Sequence, residues 1–473
     1  MNSHEQPTKM HENTMQRPTY LDPVRAMLIA LLVALGSYIS SSGTSIAASP
    51  AIIRDAEIEA LLRDYTIPLF KAAGLPTSAV DVVIIYNTDI NAFVTSGQRI
   101  FIHTGLITES ATPNEVIGVL AHETGHIAGG HHSRTRDEIS RASISNTVAI
   151  LAGLAAAGGV AAAGGSHNDA AAVGGILGGA QSAIKRSFLS YAREQESAAD
   201  QAALRFLDET GQSAAGMLTM FELLSDQMMV SVRNIDPYLQ SHPLPRERIN
   251  ILKQIVQSSP YYRKNDSSEL LLRHEFAQAK ILAYLGQPSK VFRKYKNDAT
   301  SLPATYARAI TYFRNGDLNR SIIEIDKLID SLPNYPYFYE IKGQAFLESG
   351  RAHEAIPVLK KAVNLAPNSP LIRILLGQAI ISTNDPGLLD TAITQLSRAL
   401  VHERRSPVGY RFLAIAYSRK GQTGRAELAS ANEYSARGDF ALAIQFAKRA
   451  KDKFRPGTTE WEIAEDIINI KSR

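Results

Sequence analysis

Two histidines and a glutamate, all within five residues, offer the clearest chemistry in this sequence. They occur in His122-Glu-Thr-Gly-His126, where the histidines are four residues apart and Glu123 follows the first of them. Residues four apart on a helix lie on the same face, so both imidazoles can bind one metal ion. Glu123 lies beside them and can act as general base toward a water molecule. The segment therefore predicts a metal-dependent hydrolytic site.

A catalytic zinc site needs a third protein ligand and one open position. The segment 191–200, YAREQESAAD, supplies Glu196 and Asp200 one helical turn apart. One carboxylate can bind the metal while the next orients an imidazole by a hydrogen bond. Within this segment the residues alone do not separate Glu196 from Glu194 as the ligand. The chain has no cysteine, which excludes disulfides and thiolate ligands and leaves His, Asp and Glu.

The elements that position these residues can be predicted from local signals. Thr112-Pro-Asn-Glu115 supplies a helix cap, a first-turn proline and a capping-box acid, and the helix should end near Gly129-Gly130. A helix is predicted over 56–73. Runs of β-forming residues predict three strands of a small sheet of hairpin type. They are 80–86, 91–95 and 99–103, with Ser96-Gly97 as a turn.

A repeat begins near Pro303. Small residues recur 34 positions apart, aromatic residues follow them at plus three, and glycines follow at plus seven. This spacing is typical of tetratricopeptide repeats, which stack into a solenoid with a concave surface for peptides or protein partners. Later copies are weaker, and an Asn-Asp-Pro-Gly insertion breaks the register. The residues are Ala309, Gly343 and Gly377; Tyr312 and Phe346; Gly316 and Gly350; and the insertion 384–387.

Length, charge and the N-terminus narrow the class of protein. A chain of 473 residues predicts two folded domains. The net charge of +4 comes without a dense Lys/Arg block, so we expect no nucleic-acid partner. Basic residues precede an apolar run at 26–39 and a small-x-small sequence at 45–47, which predicts a signal peptide over 1–47; an uncleaved membrane anchor is the alternative.

The segment 147–180 consists mostly of Gly and Ala. Such a composition is too rich in Gly for a predicted helix and too apolar for an ordinary solvated loop. Two interpretations stay open, a mobile or membrane-contacting flap beside the site and a poorly ordered linker between helices.

Taken together, HETGH, YAREQESAAD and the segment from Ser241 to Arg248, SHPLPRER, resemble the HExxH zinc-peptidase family that contains the CAAX prenyl protease and HtpX. The export signal and repeats make the chain similar to periplasmic members of that family. The resemblance implies that Glu196 is the third zinc ligand and that Asp200 supports a ligating histidine. It also implies that Asn91-Ala92-Phe93 is an edge strand on which substrate is laid.

The segment SHPLPRER carries the least certain assignments. The resemblance implies that His242 occupies the open zinc position or assists catalysis, whereas the residues alone also allow a helix cap. Arg248 then orients this loop or binds the substrate backbone. His131 matches a recurrent family histidine, but we expect His131 and His132 to be exposed and solvated.

The predicted fold is mainly α, with a gluzincin-type metallopeptidase domain containing a small β-sheet over 48–262 and an α-solenoid of tetratricopeptide repeats over 263–473. The predicted function is a periplasmic endopeptidase with one Zn²⁺ per chain that degrades misfolded or stalled outer-membrane proteins and assists their assembly. Its repeats would dock it to the outer-membrane assembly machinery, with peripheral membrane contact possible. A non-proteolytic chaperone or adaptor with a closed metal site is the alternative, and a processing enzyme for one precursor is a third.

Overall fold

A computed structural model describes residues 51–77, 80–95, 98–131, 134, 192–230, 242, 246–298 and 300–470. The predicted signal peptide over 1–47 and the Gly/Ala-rich segment 147–180 lie outside these residues. From Ala51 onward the chain forms one compact unit. Among the described residues, no helix has the length and apolar character needed to cross a membrane.

Four short strands form one mixed sheet with the order β1-β2-β4-β3. The predicted hairpin is confirmed for β3 and β4, which run antiparallel. The hairpin expectation is wrong for β2, which pairs in parallel with β4 because β3 first returns the chain to the other end of the sheet. The strands are β1 (Ile52–Ile53), β2 (Asp81–Ile85), β3 (Ala92–Thr95) and β4 (Arg99–His103).

Helices pack against this sheet and bury its apolar side chains in one core. The helix that carries the HETGH segment is α3, and it begins at Pro113 and is capped by Gly129 as predicted. Its Glu115 carboxylate accepts a hydrogen bond from the backbone N–H of Ala111 at 2.7 Å, which satisfies a donor at the helix start. The helices are α1 (Ala56–Ala72), α2 (Thr104–Glu109), α3 (Pro113–Ala128), α4 over 192–209, α5 (Ala215–Val230) and α6 (Arg246–Ser258).

The C-terminal half consists of helices that follow one another in packed pairs. The first pair, α7 and α8, precedes the segment in which the repeat is recognisable from sequence. The helices are α7 (Ser268–Leu285), α8 (Pro288–Lys294), α9 (Leu302–Arg314), α10 (Leu318–Ser331), α11 (Pro336–Glu348), α12 (Ala352–Leu365), α13 (Pro370–Ser382), α14 (Leu389–His402), α15 (Pro407–Arg419), α16 (Thr423–Arg437), α17 (Phe440–Lys451) and α18 (Thr459–Ile468).

The predicted repeat has a clear packing basis. A Cβ atom added at Gly343 would lie 2.4 Å from the Leu359 side chain, and one at Gly377 would lie 2.6 Å from the Leu396 side chain, so a larger residue would displace the leucine packed between the paired helices. Gly350 has φ +77°, and Asn384, 34 residues later, has φ +58° at the insertion. Asparagine is one of the few residues that tolerate this left-handed conformation, so the turn is kept without glycine.

Helix α7 belongs to two cores at once. Its Ala277 and Ile281 pack with the sheet and α3, whereas its Phe276 and Ala279 pack with the solenoid helices. The predicted domain boundary between 262 and 263 stays a prediction, but a continuous helix shared by both cores follows it directly.

Candidate metal centre

Four buried side chains from three parts of the chain meet at one point. They are His122 and His126 from α3, Glu196 from α4, and His242. Each offers one nitrogen or oxygen, and these atoms all lie within 4.8 Å of one another. Imidazole nitrogen and carboxylate oxygen are the donors that a catalytic zinc takes in proteins. The cluster can therefore hold a metal ion.

The distances within the cluster are those of atoms directed at a common centre. His122 Nε2 lies 3.0 Å from His126 Nε2 and 3.4 Å from His242 Nδ1. Glu196 Oε1 lies 3.0 Å from His242 Nδ1 and 3.4 Å from His126 Nε2. Glu194, which the residues alone left open, is exposed, whereas Glu196 is buried.

A glycine inside the motif sets how closely the two helices approach. A Cβ atom added at Gly125 would lie 2.7 Å from the backbone oxygen of Ala199, closer than real Cβ contacts allow. Helices α3 and α4 therefore meet at Gly125, which lies between the two histidines of the motif. This close contact brings Glu196 within reach of the histidines.

A second group of charged residues contacts the cluster on the side that faces away from its centre. His122 Nδ1 lies 2.9 Å from Asp200 Oδ1, opposite the face that points to the cluster. Arg248 donates from Nε and Nη2 to Asp200 at 2.6 and 2.7 Å, and from Nη1 to Glu196 at 2.8 Å. Arg248 thus contacts the site's own carboxylates, while the two roles predicted for it, orienting the loop and binding the substrate backbone, stay predictions.

His131 differs from its predicted environment. We expected an exposed, solvated side chain, but His131 is 5% exposed, and its Nδ1 lies 3.0 Å from His126 Nδ1. The prediction failed because the chain turns at Gly130, with φ +62°, directly after α3 and brings His131 back against the helix. His131 therefore contacts His126 on the side away from the cluster, as Asp200 contacts His122. His132 lies outside the described residues.

Glu123 is fully buried beside the cluster. Among the described residues, no hydrogen-bond donor satisfies either of its carboxylate oxygens, and His242 Nε2 lies 3.5 Å from Oε1. Burial raises the pKa of Glu123. A buried carboxylate without hydrogen-bond partners lowers the stability of the fold, so its presence indicates a functional role. A raised pKa suits a general base that works near neutral pH.

The surroundings of the cluster favour positive charge at its centre. Burial alone lowers the pKa of His122, but hydrogen bonds to Asp200 and Glu196 outweigh it and raise the pKa to about 9. At His126 burial prevails and lowers the pKa to about 3. Burial raises the pKa of Glu196, but hydrogen bonds to the three histidines outweigh it and hold the pKa well below its usual range. A divalent cation supplies the charge that these carboxylates require, so the residues fit a metal.

The predicted substrate strand lies at the edge of the sheet. β3 is the outer strand and packs against α3. Ala92 is buried, and Phe93 stacks on Phe101 with ring centres 5.3 Å apart. Asn91 is also buried, and within the described part of the chain its Oδ1 has no hydrogen-bond partner. The strand thus has an edge that can pair with another extended chain.

The chain is similar to known proteins over both halves. Residues 53–256 match the model of peptidase family M48, and residues 336–369 match a tetratricopeptide repeat. The chain is 23% identical to the β-barrel assembly-enhancing proteases of Yersinia pestis, over 80% of this chain and 76% of the relative, and of Escherichia coli, over 87% and 82%. It is 29% identical to the metalloprotease YcaL of Escherichia coli, over 40% of this chain and 67% of the relative.

Among solved structures, "MamA MSR-1 C2" matches with a TM-score of 0.30 at 20% identity, over 35% of this chain and 92% of that one. The family match covers the sheet, the HETGH helix and Glu196, and the named relatives that share this region are proteases. Residues 53–256 match peptidase family M48, and together with the relatives named as proteases this match identifies the chain as a metalloprotease.

Proposed function

We propose that this chain is a zinc-dependent endopeptidase of the cell envelope that degrades misfolded or stalled outer-membrane proteins and assists their assembly. The observation that carries the proposal is the group of three histidines and one glutamate within 4.8 Å, with Glu123 buried beside it. The names of the relatives in Yersinia pestis and Escherichia coli support the outer-membrane setting. The sequence signal for export over 1–47 supports a periplasmic location.

In this proposal His122, His126 and Glu196 hold one Zn²⁺, and His242 is the fourth ligand in a resting state. The ion, when bound, polarises the peptide carbonyl and the water beside it. Glu123 accepts the proton of the attacking water and can pass it to the leaving amine, because its oxygens have no other described partner. Asp200 fixes His122 with its Nδ1 outward, and Arg248 fixes Asp200 and Glu196.

Substrate is proposed to add as a strand along the edge that includes Asn91, Ala92 and Phe93. Backbone hydrogen bonds along an edge strand accept many sequences, which suits an enzyme that removes unfolded chains. The solenoid is proposed to dock the enzyme to the outer-membrane assembly machinery, since stacked repeats offer an extended surface for protein partners. Peripheral contact with the membrane and the domain limits 48–262 and 263–473 are part of the same proposal.

Metal content and proteolysis, measured on the same samples, test the mechanism. Glu123→Gln should keep about one zinc per chain and lose casein cleavage, because general-base catalysis contributes roughly 10² to 10⁴-fold. Glu196→Ala should lose the metal, whereas Glu194→Ala, an exposed acid on the same helix, should keep both metal and activity. Cleavage that persists in Glu123→Gln would contradict the assigned mechanism.

A second candidate function rests on the position of His242. With His242 Nδ1 3.0 Å from Glu196 Oε1 and 3.4 Å from His122 Nε2, all four donors are already in one group. A metal held permanently by all four leaves no position for substrate, and the chain would then serve as a chaperone or assembly adaptor. His242→Ala separates the two, because a gated peptidase gains casein cleavage when the fourth ligand is removed. An adaptor stays without cleavage in both forms.

A further inference from the structure

A cavity of about 380 Å³ lies between the start of α1 and the first helices of two consecutive helix pairs of the solenoid, α11 and α13, and α7 closes its side. It shares no lining residue with the His–Glu cluster. Its volume is within the range of small-ligand and peptide side-chain pockets. Much of its wall is apolar, formed by Ile53, Ile281, Leu285, Leu371, Ile374 and Leu375.

Charged residues form the polar part of this cavity. Lys280, 2% exposed, lies 2.8 Å from Asp55, 3.2 Å from Glu57 and 3.6 Å from Glu340. Three carboxylates thus face one ammonium group. Arg54 also lines the cavity, but it forms ion pairs with Glu59 and Glu403, at 2.7 and 2.8 Å.

Among these carboxylates, Glu340 has an oxygen that accepts no hydrogen bond from a described residue. Glu340 lines the cavity and is 8% exposed, and its Oε2 lies 3.6 Å from Lys280 Nζ, too far for a hydrogen bond, while no other described residue donates one to it. Glu57, by contrast, accepts hydrogen bonds from the hydroxyls of Tyr306 and Tyr335 at 2.8 and 2.6 Å. Two other carboxylates and only one ammonium group lie near this carboxyl group, so an added cation would favour its ionised form.

We propose that this cavity binds a cationic side chain, lysine or arginine, carried by an extended segment of another polypeptide. The apolar wall accepts the methylene stem of such a side chain, and Glu340 Oε2 accepts a hydrogen bond from its charged end. First helices of two stacked repeats line the cavity, so the main chain of the segment can continue along the solenoid. A free carboxylate or phosphate is excluded because it would add to the three carboxylates already present.

The test compares two peptides, Ac-Ala-Leu-Lys-Leu-Ala-amide and the same peptide with norleucine for lysine, by isothermal titration calorimetry. The protein is the full chain with Glu123→Gln, so that neither peptide is cleaved and binding is separated from proteolysis. The lysine peptide should bind at least tenfold more tightly, since a charge-assisted hydrogen bond in a buried site contributes that much.

Three further variants locate the interaction. Glu340→Gln should remove the preference for lysine, and Leu375→Trp should weaken binding by filling the cavity while all charges remain. Glu354→Gln removes the same charge from an exposed position on the neighbouring helix α12 and should bind like the parent. Circular dichroism melting establishes that each variant is folded.

Equal affinity for the two peptides, or a lysine preference that survives in folded Glu340→Gln, would overturn the assignment. Absence of measurable binding of the lysine peptide at millimolar concentration would overturn it as well. None of these results bears on whether Glu123 catalyses cleavage, so the cavity and the peptidase mechanism can fail independently.

Discussion

The ionisation of Glu340 should make the free energy of unfolding depend on pH, at pH values above those at which an ordinary glutamate titrates. Burial, with the negative charges of Asp55 and Glu57 working against the partial relief from Lys280, raises the pKa of Glu340 from the usual 4.5 to about 7. Between these two values the folded chain holds a proton at Glu340 and the unfolded chain does not. Stability therefore falls as the pH rises through this window.

The size of the effect follows from the two pKa values. Each tenfold change in proton concentration within the window corresponds to about 1.4 kcal/mol. Between pH 5 and pH 8, the ionisation of Glu340 should therefore reduce the free energy of unfolding by about 2 to 3 kcal/mol. If the compact unit of about 420 residues unfolds in one transition, an unfolding entropy of about 0.9 kcal/mol/K converts this into about 3 °C in Tm.

Differential scanning calorimetry of the parent and of Glu340→Gln at pH 5 and pH 8 measures the effect. Glutamine cannot ionise, so the parent should lose about 3 °C relative to the variant between the two pH values, while the titrations of groups far from Glu340 cancel. Glu354→Gln, at an exposed position, should follow the parent at both pH values. A difference in Tm between parent and Glu340→Gln that is the same at pH 5 and pH 8 would refute the reasoning.

Three more predictions concern residues that hold the metal cluster and the carboxylates around Lys280 in place. Arg248→Met should weaken metal affinity about 10 to 100-fold in a chelator competition, because it frees the carboxylates that orient the ligands, whereas Lys253→Met on the same helix should not. Gly125→Ala should cost about 1 to 3 kcal/mol in calorimetry by forcing α3 and α4 apart, and an unchanged Tm would contradict that contact. Lys280→Met should cost about 3 to 5 kcal/mol by leaving buried carboxylates uncompensated. Adding Glu340→Gln should recover part of that loss, and strict additivity in the double variant would argue against the pair.

The sequence predicts the α3 segment well because local signals agree there. The proline at the first helical position, the acid in the first turn and the glycine after the last turn all indicate the limits that the structure has. The repeat is equally readable, since the small residue required where helices meet recurs at a fixed spacing. Gly343 and Gly377 both lie at such contacts.

What the sequence does not reveal depends on contacts between distant segments. Arg248 is 48 residues from Asp200 and 52 from Glu196, and no local pattern indicates that it binds both. The burial of the His131 side chain is not predictable from local sequence, because exposure after a helix end depends on how the chain turns. The buried Lys280 left one weak signal, a lysine inside the apolar run of α7, which by itself does not name its partners.

The contacts of α1 explain how the two halves of the chain can act together. Its Leu61 and Leu69 lie in the same core as α3, the helix that carries the metal ligands. Its Glu57 accepts hydrogen bonds from Tyr306 and Tyr335 of the solenoid side. The solenoid is therefore connected to the helix of the metal ligands through packed helices, α1 and also α7, which contributes to both cores. A buried carboxylate that loses its donors is costly, so separating Glu57 from Tyr306 and Tyr335 should destabilise the contact between the two halves.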